Sequence, residues 1–149
     1  MKKFAFSLQK LLNYKEQLFD AELTILADMR AALAKMEDEL ADMNAERATR
    51  TSDFCQKAAK GIPAIEVEMH KNYLTMLDFS IRQKQQQIEM QSKAIDKQAE
   101  KVRQAKMEIS TMEKLRERKL EEYNHAASKA EELFIEEFVT NAKAVKEIA

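Results

Sequence analysis

The chain has one glycine, one proline, one cysteine and no tryptophan in 149 residues. Each scarcity excludes something. A single cysteine, Cys55, rules out an internal disulfide framework and fits a reducing compartment. A single glycine rules out a glycine-rich loop cradling a nucleotide's phosphates. No apolar run approaches the ~20 residues that a membrane-spanning helix needs. Met1-Lys2-Lys3-Phe4 has the basic opening of a secretory leader, but the apolar stretch fails at Gln9, Lys10, Asn13 and Lys15. The expected location is the cytoplasm. Charge of one sign is also missing: 25 basic residues stand against 26 acidic ones, for a formal net charge of −1. That balance gives no general reason to bind nucleic acid or an anionic membrane.

The lone glycine and proline share one tripeptide, Gly61-Ile62-Pro63. In a helix interior they cost roughly 1 and 3 kcal/mol. The chain therefore has one place to turn, and both flanks can be continuous helix. The first flank carries a heptad seam, with Leu12, Phe19, Leu26, Leu33 and Leu40 seven apart, then Arg47 and Phe54. Leu8, Lys15, Glu22, Met29, Met36 and Met43 interleave. Leu11, Leu18 and Ile25 widen the apolar face beyond the seam, leaving surface for a further partner. The second flank repeats the pattern with Leu74, Ile81, Ile88, Ile95, Val102 and Ile109, interleaved by Leu77, Lys84, Gln91, Gln98, Ala105 and Met112. After Met112 the frame slips, and the apolar line becomes Leu120, Tyr123, Ala127, Ala130, Phe134 and Phe138.

These patterns predict an all-α fold, a long antiparallel two-helix coiled coil with the second helix overhanging. One hairpin would span residues 1–149: helix 1 over about 4–60, a corner at 61–63 and helix 2 over about 64–147. Folding about residue 62 pairs positions whose numbers add to about 124 and sets His70 opposite Phe54. The helices would be roughly 80 and 125 Å long. Residues from about Asn124 onward then lack an intramolecular partner, yet carry Leu133, Phe134, Ile135, Phe138, Val139, Val145 and Ile148. Exposed apolar surface of that kind points to a binding site or to self-association.

Catalysis finds no support. His70 and His125 flank no nucleophile or ligand cluster, and adjacent pairs such as Glu131-Glu132 diverge on a helix surface. No enzyme activity, cofactor or metal is expected. Lys84, Gln91, Gln98 and Glu22 lie in the seam, where polar residues cost stability but fix pairing. Charge is uneven along the chain. Residues 37–46 hold five acids and no base, residues 93–119 nine bases against five acids, and residues 121–137 six acids and one base. Interleaved helix pairing accounts for this, and so does a basic band that meets an acidic ring or groove.

The opening Phe4-Ala5-Phe6-Ser7-Leu8-Gln9-Lys10-Leu11-Leu12, the segment Asp28-Met29-Arg30 with Glu37 and Leu40, and Gly61-Ile62 are distributed along the chain. So are Tyr73-Leu74 with Leu77, Ile81 and Gln83, and the acidic-apolar run Glu131 to Phe138. In length, single corner and co-linear order they resemble the flagellar export protein FliJ family. The resemblance implies a non-enzymatic component of the flagellar type III export apparatus, similar to the central stalk of rotary ATPases. Such a protein would bind the hexameric export ATPase, promote its ring assembly and activity, and couple it to the cytoplasmic domain of the membrane export gate. It would also meet export chaperones. It would be cytoplasmic, peripherally associated with the inner-membrane apparatus, without membrane insertion, and an elongated monomer on its own. Carried over by the resemblance, the gate surface would include Met43, Tyr73, Leu74 and Leu77. Glu46 and Arg50 stand where other members carry tyrosines, and Lys84 where some have histidine. The ATPase would meet the end bearing both termini, through Leu11, Leu18, Ile25, Phe134 and Phe138, with Lys101, Arg103 and Lys106 as a basic shaft contact. The alternatives are a chaperone or adaptor without action on the ATPase, and a generic coiled-coil scaffold.

Overall fold

A computed structural model of the chain describes residues 2–148. Two α-helices account for nearly all of them: α1, Gln9–Lys60, and α2, Ala64–Ile148. They pack against each other as a helical hairpin, with no strand among the described residues.

The corner follows from its three residues. Gly61 takes a positive φ of 87°, a left-handed conformation that glycine adopts without a Cβ penalty. Its N–H turns back to the Ala58 carbonyl at 3.2 Å, meeting an acceptor that the helix end would leave unpaired. Lys57 and Lys60 occupy the last turn of α1, where positive charge favours the carbonyl end. Pro63 has no N–H to give. Its carbonyl instead accepts from Glu66 and Val67 at 3.0 and 3.3 Å and starts α2.

The packing falls into two compact units, residues 21–102 and residues 2–20 with 103–148. In the first, Leu26, Leu77, Ile81 and Ile95 are buried, and Leu33, Met36, Met43, Leu74 and Ile88 half-buried. Phe54 meets His70 with ring centroids 5.3 Å apart. Lys84 Nζ reaches Glu39 at 2.7 Å, and Arg47 pairs with Asp78 through both carboxylate oxygens. The polar seam is satisfied by direct bonds. Gln91 donates to the Met29 carbonyl at 3.1 Å. Gln98, itself buried, donates to the Glu22 carbonyl at 3.1 Å and to the Glu22 carboxylate.

In the second unit the core is Leu12, Ile109 and Met112, with Phe6 and Phe19 packed on it. Lys15 pairs with Glu108 at 2.8 Å. The ion pairs Lys15–Glu108, Arg47–Asp78 and Lys84–Glu39, which join the two helices, and the Phe54–His70 contact link residues whose numbers add to within one of 124, the register expected from the corner.

The first helix departs from expectation at its start. It begins at Gln9, not near Phe4. Residues 2–6 instead form a non-helical strap across α2. Tyr123 donates its hydroxyl to the Lys2 carbonyl, and the Phe4 ring lies 5.7 Å from that of Tyr123. Arg116 sits 5.6 Å over the Phe4 ring, and its Nε donates to the Gln9 side chain at 3.1 Å. Together these contacts outweigh the helix propensity of an extension over residues 4–8, which would make few bonds of its own. Beyond Ala127, every described residue of α2 is exposed, as expected of the overhang.

Candidate partner-binding surfaces

In the unit of residues 21–102, the residues that the family resemblance assigns to a gate contact differ in access. Met43, Tyr73 and Leu74 are half-buried, whereas Leu77 is buried at 7%. Leu77 thus presents little surface and acts chiefly in the seam. Tyr73 is held from α1 by two residues. Its hydroxyl donates to the Glu46 carboxylate, and the Arg50 guanidinium lies 4.8 Å from its ring centroid. The Glu46 bond, with some burial, holds the Tyr73 hydroxyl above the ordinary tyrosine pKa. A concavity of about 450 Å³ opens beside it, lined by Arg50, Lys57, Glu66, Met69, His70 and Tyr73.

Sequence reasoning named Tyr73 but missed the Glu46–Arg50 clamp. The signal was available, because the 124 register sets Tyr73 close to Arg50. Ile65, Met69, Met76 and Phe79, on the same helix as Tyr73, are all exposed. Ile25 and Lys101, assigned to an ATPase contact, are exposed in this unit.

The other unit holds the remaining candidates. Leu11 and Leu18 are close to half exposed, and Phe134 and Phe138 are exposed at 69% each. Arg103 and Lys106 are exposed on α2. Arg103 donates to the Met107 sulfur at 3.3 Å, and Lys106 Nζ lies 5.5 Å from the Phe19 ring centroid. Both are anchored through apolar neighbours, as long cationic side chains often are. The strap adds a feature that sequence reasoning missed, a concavity of about 410 Å³ lined by Lys2, Lys3, Phe4, Phe6, Lys119 and Tyr123.

Neither surface arranges groups for chemistry. Among the described residues no cluster of three or more His, Cys, Asp and Glu could hold a metal ion, and no helix is long and apolar enough to cross a membrane. What the surfaces offer is apolar and aromatic area edged by charge, which suits protein partners.

No curated protein and no solved structure matches the chain. A family profile described as "Flagellar FliJ protein" matches residues 4–147. That span takes in both helices, the corner and most of the strap. The chain belongs to the FliJ family and is a non-enzymatic component of flagellar type III export.

Proposed function

We propose that this protein binds the flagellar export ATPase, promotes assembly and activity of its hexameric ring, and couples the ring to the membrane export gate. The observation that carries the ATPase part is the exposed end of α2. Leu133, Phe134, Ile135, Phe138, Val139, Val145 and Ile148 are all open to solvent there. So much apolar area is costly to leave uncovered and marks a binding surface. Leu11 and Leu18 add apolar surface in the same unit, and Ile25 continues their heptad spacing in sequence. Lys101, Arg103 and Lys106 supply positive charge for acidic groups lining a ring.

The mechanism is mechanical and allosteric. Two unequal helices present different residues in every direction. Each subunit of a symmetric ring around them meets a different surface, which biases its nucleotide state. The gate contact rests on Met43, Tyr73 and Leu74, with Leu77 supporting them from beneath. Export chaperones would meet the exposed apolar residues of α2. Such a protein works in the cytoplasm, held at the inner-membrane export apparatus by its partners.

Substitution tests the ATPase part. Phe134→Asp with Phe138→Asp should abolish stimulation of ATP hydrolysis with helix content unchanged. Reversing Lys101, Arg103 and Lys106 to glutamate should weaken it. Full stimulation by both variants would remove the ATPase reading. A chaperone-adaptor would then be favoured by the open concavity beside Tyr73, with Tyr73→Ala losing partner binding and ATP turnover unaffected.

A further inference from the structure

The strap-lined concavity has an aromatic floor and a basic rim. Phe4, Phe6 and Tyr123, all half-buried, make the floor, the exposed Lys2, Lys3 and Lys119 stand as the rim, and no acidic side chain among the described residues lines it. Lys119 makes a long contact of 3.5 Å to Glu122, between two exposed side chains, which offers little competition for an incoming carboxylate. The cavity fits an acidic segment that carries a large apolar anchor.

The chain itself contains such a segment. Residues 131–138 place four glutamates around Phe134, Ile135 and Phe138, all exposed. None of these glutamates is ion-paired among the described residues. The segment cannot fill its own chain's concavity, because α2 runs unbroken to Ile148. Phe134 lies about 16 Å along the helix axis beyond Tyr123, which helps to form the floor. A second copy is free of that restraint.

We propose that two copies of this protein associate about a twofold axis, each laying the Glu131–Phe138 segment of α2 into the concavity framed by Lys2, Lys3, Phe4 and Lys119 of the other. Twofold pairing forms the contact twice from a single complementary match. The glutamates meet the lysine rim, and Phe134 or Phe138 enters the aromatic floor. The anchors are few, at roughly 150–250 Å² for each aromatic ring, and the interface falls in the small, transient class. The dimer is therefore reversible and sensitive to salt, and the dilute protein is a monomer. Pairing covers Phe134 and Phe138, so a protein held as a dimer cannot offer them to another partner.

Sedimentation equilibrium of the full chain tests this, run from low to high micromolar concentration at low and high salt. The expected result is a monomer–dimer equilibrium whose dissociation constant rises at least tenfold with added salt. Changing Lys2, Lys3 and Lys119 to glutamate should abolish the dimer, as should changing Glu131, Glu132 and Glu136 to lysine. An equal mixture of the two variants should dimerise again, because each then carries the complement of the other. That recovery separates a lost interface from a damaged fold, and circular dichroism confirms the helix content of each variant. A monomer at every concentration would overturn the proposal, as would a dimer indifferent to both salt and the reversals. Neither result involves the ATPase, so the function proposed above stands or falls separately.

Discussion

Replacing Gln98 asks whether the polar seam stabilises the hairpin or only specifies it. Gln98 is buried at 7% and donates to the carbonyl and the carboxylate of Glu22. Net of desolvating the amide, the neutral bond contributes about 1 kcal/mol and the charge-assisted bond about 1.5 kcal/mol. In Gln98→Leu both bonds are lost and the new apolar tip contributes about 1.5 kcal/mol. Nothing is orphaned, because the Glu22 carbonyl lies within α1 and its half-buried carboxylate can turn to water. The balance makes Gln98→Leu about 1 kcal/mol less stable than the natural protein. Gln98→Ala loses the same bonds and one buried methylene besides, and should be about 3 kcal/mol less stable. Urea unfolding of the dilute protein measures both, with an unchanged denaturant slope as the sign that cooperativity is intact. The reasoning is refuted if Gln98→Leu proves more stable than the natural protein, since burying the amide would then cost more than the Glu22 bonds return.

Other perturbations follow from single features. Gly61→Ala should destabilise the protein by about 1 kcal/mol, because its positive φ strains any Cβ while no neighbouring atom lies within 4 Å to clash. A neutral result in urea unfolding would mean that the corner relaxes freely. The Lys84 bond holds the Glu39 carboxyl below the usual carboxylate range, and the Arg47 bond does the same for Asp78. Depressed carboxylates add stability that is fully present above the ordinary carboxylate pKa and is lost as pH falls through their folded values. Glu39→Gln with Asp78→Asn should therefore flatten the acid limb of the stability profile, and an unchanged limb would contradict the assignment. Tyr123→Ala should release the strap, removing the hydrogen-exchange protection of the Gln9 amide, which bonds the Phe6 carbonyl, with little change in helical signal. Retained protection would show that the strap is held by something other than Tyr123.

The hairpin was legible because its determinants are local and repeated. Gly61 and Pro63 confine the turn, the heptads set the buried face, and the corner then fixes the register. Phe54 meets His70 as that register requires. The strap was not legible. Phe4 to Leu12 reads as a helix start, and only the distant Tyr123 and Arg116 make an extended course preferable. The Tyr73 surface was half legible. Register brings Tyr73 near Arg50, but which charged neighbour takes the hydroxyl depends on side-chain geometry that no spacing reveals. Leu77 shows a further limit: position on the seam and access to a partner compete for one side chain, and in this structure the seam has it.

The central claim is action on the export ATPase. Its most direct test titrates this protein into the cognate export ATPase, following ATP hydrolysis together with light scattering for ring formation. The account predicts that turnover and assembly rise together and saturate. No change in either, with a fully helical protein, would contradict it.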